Sequence, residues 1–312
     1  DPDHAYGPPN DLDVQRGGPD GHAFGARAAP SLRYKEYTPA YADLLDNPDG
    51  VSAPGPGGGF AWDGRASTLA EQARMPLLSP LEMANASPAD VVAKVARAPY
   101  AAAFSRAFAG VAFADVDRAF AAAARALEAF QREDPSFHPY TSKFDLRADN
   151  KIGGTFTPAE RRGLQVFVDA KRGNCASCHY HGAGLNGSSG IFTDYSFEAI
   201  GVPRNRSLPV NADAAYFDLG LCGPMRTDHP SAGARNTFCG LFKTPTGLNA
   251  DFNAPYFHDG RYDTYDQMVG YFDKTFDLTL SAQDRRALVA YLNAVSDGEE
   301  PMQADSIDRS EE

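Results

Sequence analysis

Residues 175 to 179 read Cys-Ala-Ser-Cys-His, a C-x-x-C-H run. Two thiols three positions apart can form thioethers to the two vinyl groups of one haem, while the adjacent imidazole turns in beneath the iron as proximal ligand. A chain carrying such a group folds around it, because the flat macrocycle fills part of the core. Two other readings of these residues are weaker. A structural zinc site would want a second Cys/His pair at similar spacing, and a redox-active C-x-x-C would want a thioredoxin-like strand before it. Neither is visible in the sequence. Cys175, Cys178 and His179 are therefore the expected attachment residues of a haem c, with His179 on the iron.

Haems of this kind are attached outside the cytoplasm, which points to a periplasmic chain. The other two cysteines, Cys222 and Cys239, suit an oxidising space. Paired, they close a short loop worth on the order of 3 kcal/mol; two reduced buried thiols are the alternative. Neither a signal peptide nor a membrane span is apparent, since apolar stretches such as 119–130 are broken by Arg125 and Glu128. The expectation is a mature, soluble, exported chain. At 312 residues it predicts two domains. Its 29 basic against 41 acidic residues give a net charge of −12, which argues against nucleic acid and suits a basic protein partner.

Gly and Pro concentrate before residue 60 and predict loops there. Helix signals dominate afterwards. Thr68 with Glu71 forms a capping box, Ser87-Pro88 an N-cap with proline at the first helical position, and Thr157-Pro158-Ala159-Glu160 combines both devices. From Asp115 to Gln131, the residues Val116, Phe120, Ala123, Leu127 and Phe130 recur at helical intervals, and Ser281 to Val295 shows the same periodicity. Sustained two-residue alternation is absent. The fold class is mostly α, with long loops.

Trp62-Asp63-Gly64-Arg65 followed by Thr68 recurs as His258-Asp259-Gly260-Arg261 followed by Thr264, each copy leading into a helix. Ala29-Pro30-Ser31-Leu32 before the first copy echoes Thr244-Pro245-Thr246 before the second. The pattern predicts two cytochrome c-like domains related by an internal repeat, an N-terminal one over 1–140 and a C-terminal one over 150–300. Their boundary falls near 135 to 155, where Pro135, Pro139 and Gly153-Gly154 interrupt the helices. His179 lies 79 positions before His258, so a first-half C-x-x-C-H should sit near or before residue 1. None is present in this sequence.

The run Asp1 to Asn10, with Ala29 to Leu32, Trp62 to Arg65, Pro80-Leu81-Glu82-Met83, Cys175 to His179, Lys243 to Thr246 and Tyr256 to Gly260, resembles the bacterial di-haem cytochrome c peroxidase family, including its MauG and MbnH types. The similarity runs in collinear order over nearly the whole chain. It implies a second haem c attached upstream of a segment like Asp1 to Gly7; a true single-haem protein is the alternative. That N-terminal haem is the five-coordinate peroxide site in the family. Its distal carboxylate falls on Glu82, with Gln72 and Pro76 at other distal-pocket positions. A carboxylate there can take a proton from one peroxide oxygen and deliver it to the other. Trp62, the only tryptophan, falls between the two haems as an electron relay. Without the resemblance, Glu82 reads as an exposed helix-end charge and Trp62 as packing.

At the C-terminal haem the family's sixth ligand, methionine in peroxidases and tyrosine in MauG types, falls on Phe272, which cannot ligate iron. Tyr271 is next door and Met268 one turn back; Tyr271 is the expected ligand because tyrosinate favours strongly oxidised states, and a five-coordinate haem or a ligand from elsewhere is the alternative. His181 reads as a surface or propionate contact and His258 as a turn or neighbouring residue; His4, His22, His138 and His229 lie in loops. The family's calcium ion between the halves would meet Ala28 where an asparagine ligand often occurs. Details around 192–205 and the Cys222/Cys239 pair are similar to the MbnH branch. The implied function is a haem c enzyme that reacts with hydrogen peroxide and oxidises a residue, tryptophan in the MbnH case, on a protein partner. The alternatives are a peroxidase drawing electrons from a small donor protein and a single-haem electron carrier.

Overall fold

The computed structural model describes residues 14–182, 190–228 and 237–298. The run Asp1 to Asn10, with His4, and His229 fall outside the described residues. Eight α-helices carry the described architecture: α1 (Leu69–Leu78), α2 (Pro88–Arg97), α3 (Ala101–Ala107), α4 (Val116–Glu133), α5 (Lys143–Ala148), α6 (Pro158–Val168), α7 (Tyr265–Thr275) and α8 (Ala282–Ala294). Seven open on a side-chain cap. Thr68, Ser87, Asp115, Ser142, Thr157, Thr264 and Ser281 each accept from the backbone N–H three residues on, satisfying a donor the first turn leaves unpaired. The box at Thr157 is reciprocal. At Thr68 the return bond shifts by one residue, Glu71 Oε2 accepting from Ser67 N–H at 2.7 Å.

Strand structure among the described residues is confined to short antiparallel ribbons: β1 (Arg16–Gly17) with β2 (Ala23–Phe24), β3 (Ala42–Leu45) with β4 (Gly55–Gly57), and β5 (Phe197–Glu198) with β6 (Phe242–Lys243). The first two lie in the stretch expected to be loops.

Two apolar clusters organise the helices. Val91, Val92, Ala119 and Phe120 join α2 to α4, with Leu77 and Leu78 of α1 against them. On α4 the buried face is made of Ala119, Phe120, Ala122 and Ala124, whereas Leu127 and Phe130 of the expected stripe are 40% and 54% exposed. Small residues face the neighbouring helices there. The larger cluster gathers Val166 and Phe167 of α6, Val269 of α7, and Leu288, Tyr291 and Ala294 of α8, together with Phe192 and Leu248. Gly163 lets α6 and α8 touch: a Cβ there would lie 2.0 Å from the Ala287 carbonyl oxygen and 2.6 Å from Tyr291 Cβ.

The chain leaves α4 through a 3₁₀ turn at Pro135–Phe137 and enters the larger cluster with Tyr140 and Phe144. Tyr34, far upstream, is also buried in that cluster, its hydroxyl donating to Asp297. A buried ion network ties three distant loops. Arg27 pairs with Asp63 at 2.7 Å and Asp218 at 2.6 Å, and Arg65 also reaches Asp63 at 2.9 Å. Cys222 and Cys239 form a disulfide.

The two D-G-R turns have the same local geometry. Phe60 N–H donates to Ala66 O, and Tyr256 N–H to Tyr262 O, each at 2.7 Å. Ala61 and Phe257 are left-handed at φ 65° and 70°, Gly64 and Gly260 at 64° and 65°. Thr68 and Thr264 then cap α1 and α7 with near-identical dihedrals.

Candidate haem site

The C-x-x-C-H residues follow α6 through a tight turn. Gly173 N–H returns to Val166 O, Asn174 adopts a left-handed conformation at φ 49°, and Cys175–Ser177 forms a 3₁₀ turn. His179 N–H then donates to Cys175 O at 2.8 Å. This winding brings Cys175, Cys178 and His179 to the wall of one cavity of about 880 Å³.

The His179 ring is oriented by one contact, Nδ1 to the Phe192 carbonyl oxygen at 2.9 Å. A carbonyl can only accept, so Nδ1 carries the hydrogen and Nε2 keeps its lone pair for a metal. Burial holds the imidazole pKa below its usual value, favouring the neutral ring. Phe192 is fully buried with φ 56°, a conformation that costs a bulky residue about 1–3 kcal/mol. The strained backbone aims its carbonyl at His179, and Gly247 N–H donates to the same oxygen at 3.1 Å. The cysteines are not paired with each other. Burial pushes the Cys175 thiol up to about 12 and Cys178 to about 11, opposite to the lowered thiol of a redox C-x-x-C.

The wall formed by α7 and α8 is apolar apart from the Tyr265 hydroxyl at the start of α7. Met268, Val269, Phe272, Phe276, Leu288 and Leu292 all face the cavity, and the two thiols with a metal-ready imidazole at the opposite side fit a haem c. Met268 and Phe272 are one turn apart and share a face of α7. Tyr271 is rotated away by the helical period. Its hydroxyl donates to Ile200 O at 2.6 Å and its ring packs on Phe257 and Tyr262, so it is not among the cavity-lining residues.

A second cavity of about 130 Å³ lies beside the first, and Trp62 lines both. The indole N–H donates to Ala28 O at 2.8 Å, and Ala28 N–H donates to His258 O at 2.8 Å. Ala28 offers only its backbone, and among the described residues no three His, Cys, Asp or Glu side chains converge on a metal-sized site. Gln72 also lines the smaller cavity, its Oε1 buried without a hydrogen-bond partner. Pro76 sits one turn further along α1, half-buried. Glu82 is exposed on the turn after α1, held through its carbonyl oxygen by Gly18 N–H at 2.8 Å. Trp62 and Gln72 are thus brought together, whereas Pro76 and Glu82 line neither cavity.

His181, expected as a surface or propionate contact, is partly buried, its ring packed among Phe144, Phe167 and Phe192 with 5.8–6.2 Å between centroids. His258 lines the large cavity, stacked on Phe242 at 3.8 Å. Glu198, not singled out from sequence, also faces this cavity, and burial raises its carboxyl pKa.

A chain whose regular structure is mostly helical, with a C-x-x-C-H turn on a large apolar cavity, has a c-type cytochrome fold. Comparison with known proteins narrows it. A family profile described as di-haem cytochrome c peroxidase matches residues 2–151. The methylamine utilization protein MauG of Paracoccus denitrificans is 32% identical over 262 residues, 82% of this chain and 62% of that protein. The cytochrome c551 peroxidase of Nitrosomonas europaea is 30% identical over 67% of this chain and 52% of its own length. A crystal structure of a variant of the diheme peroxidase BthA from Burkholderia thailandensis superposes with a TM-score of 0.76 at 30% identity, covering 91% of this chain and 75% of that one. The chain belongs to the di-haem cytochrome c peroxidase family, which includes the MauG proteins. It spans about 62% of the length of the P. denitrificans relative, and no helix among its described residues is long and apolar enough to cross a membrane.

Proposed function

We propose that this chain serves a periplasmic haem c redox enzyme that reacts with hydrogen peroxide. The observation that carries the reading is the position of Trp62, whose indole is shared by the cavity of Cys175, Cys178 and His179 and the smaller cavity beside Gln72. Cys175, Cys178 and His179 would hold one haem, which would supply the redox chemistry, and a second haem attached upstream would supply the site that reacts with peroxide.

The protein's own groups do the rest. Phe192 O fixes the His179 tautomer. The α7 face excludes water from the large cavity. Glu82, exposed on the turn after α1 and outside both cavities, is the group that the family resemblance assigns to move a proton between the two peroxide oxygens. Trp62 passes oxidising equivalents between the cavities, its N–H held by a neutral carbonyl. The equivalents then oxidise a residue on a protein partner, as in the MauG and MbnH types.

A second outlet, reduction by a small donor protein, is favoured by one observation. The Tyr271 oxygen is engaged at Ile200 O outside the cavity, whereas the Met268 sulfur of α7 lines it, with the Tyr265 hydroxyl at the start of the same helix. Hydrogen peroxide added to the fully oxidised enzyme, followed by optical and EPR spectra, tests both. A long-lived state formed without prior reduction supports partner oxidation. A requirement for prior half-reduction supports the peroxidase, and no reaction in either state refutes both. A haem count by pyridine haemochrome separates these from a single-haem electron carrier.

A further inference from the structure

We propose that Lys35 and Lys243 form a carboxylate-binding site in the smaller cavity. The sequence is acidic, 41 Asp and Glu against 29 Lys and Arg, yet this cavity is lined by two lysines and by no carboxylate. Lys243 is buried, and its Nζ donates to Gly59 O at 2.8 Å, leaving two of its three N–H groups without an acceptor among the described residues. No protein acceptor among the described residues takes a hydrogen bond from Lys35 Nζ, which makes no ion pair there either. The Gln72 amide on the same wall has its buried Oε1 unpartnered, and turning the amide over would present its N–H₂ instead.

Two cations sharing one small cavity repel each other and lose hydration, a cost that a bound anion offsets. The lysines register this. Burial lowers the Lys35 pKa to about 8, and burial, with the Lys35 charge second, lowers Lys243 well below the ordinary range. Asp63, the nearby acid, is already paired with Arg27 and Arg65.

The volume limits the ligand. About 130 Å³ is room for roughly four waters at ~30 Å³ each, enough for a carboxylate on a short stem. Two sources have that chemistry: a propionate of the second haem, which rests on the two-haem reading above, and a freely diffusing small carboxylate.

The test uses the full-length holoenzyme, with Lys35→Met as the main variant because Lys35 lines only the smaller cavity, and Lys243→Met as the second. Optical redox titration gives the midpoint of each haem, and calorimetry with acetate reports a free ligand. If a propionate is held, Lys35→Met lowers the midpoint of the haem not attached at His179, since removing a cation disfavours the reduced form. The expected shift is about tenfold in the reduction equilibrium, ~59 mV for one electron, and acetate gives no heat. If a free carboxylate is held, acetate binds the wild type and at least tenfold more weakly to both variants. Unchanged midpoints at intact haem content, together with no acetate binding, overturn the proposal. A single haem per chain refutes the two-haem reading, and the acetate measurement then decides the site alone.

Discussion

Replacing Gly163 by alanine should loosen the haem domain, and the size of the effect follows from the α6–α8 contact. The added Cβ would lie 2.0 Å from the Ala287 carbonyl oxygen, whereas a carbon–oxygen contact settles near ~3.3 Å or beyond. The helices must part by more than about 1 Å, because backbone cannot rotate aside as a side chain can. Overpacking of this kind costs about 1–3 kcal/mol and occasionally more; alanine returns about 1 kcal/mol of helix propensity. With the steric cost near its upper end, the net loss is about 2 kcal/mol, a fall in Tm of about 4–8 °C for a unit of 150–250 residues. Gly270 in α7 is the control. A Cβ there meets only the Arg285 side chain, at 2.7 Å from Nη2, and that flexible end can move away. Gly270→Ala should raise Tm by a few degrees. Thermal unfolding followed by far-ultraviolet dichroism and the haem band measures both. Changes of the same sign in the two variants would refute the reasoning.

Other perturbations have equally definite outcomes. Burial raises the Asp145 carboxyl to about 6 from 3.8, so the folded state binds the proton more tightly; the resulting stabilisation, of the order of 3 kcal/mol, is present below pH 3.8 and lost as pH rises through 6. Asp145→Asn should therefore gain stability relative to wild type between pH 4 and 7 in denaturant titrations, and a pH-independent difference would contradict this. Tyr271→Phe should leave the haem optical and EPR spectra unchanged and cost about 1 kcal/mol for the bond to Ile200 O, whereas a new spin state would show that the tyrosine reaches iron. Arg27→Met should cost about 3–5 kcal/mol by leaving Asp218 buried without its counter-charge and weakening the pairing of Asp63; urea unfolding reads it, and a loss under 1 kcal/mol would show that the network is solvated.

The helices were legible because their start signals are local: a Ser, Thr or Asp cap acts within three residues, and proline at the first position reinforces it. The ribbons were not, since strands of two to four residues in Gly- and Pro-rich loops have no periodicity to read. The helical spacing on α4 carried Val116 and Phe120 into the apolar cluster, but it could not show that alanines, not Leu127 and Phe130, complete the face against α1 and α2. At the site, Cys175, Cys178 and His179 were legible as a motif, and Trp62 stood out through the family resemblance alone. Phe192 was not, because its contribution is a carbonyl direction set by a positive φ that phenylalanine does not advertise. Tyr271 and Phe272 differ by one step of about 100° on a helix, and only the packing of α7 on α8 decides which of them faces the cavity.

Ala28 receives the Trp62 indole N–H on its carbonyl and gives its own N–H to the His258 carbonyl. One residue thus acts as a rivet between the two matching turns. A displacement beginning at either turn is thereby passed to the other through the N–H and C=O of one residue, so the Trp62 indole and the His258 backbone shift together.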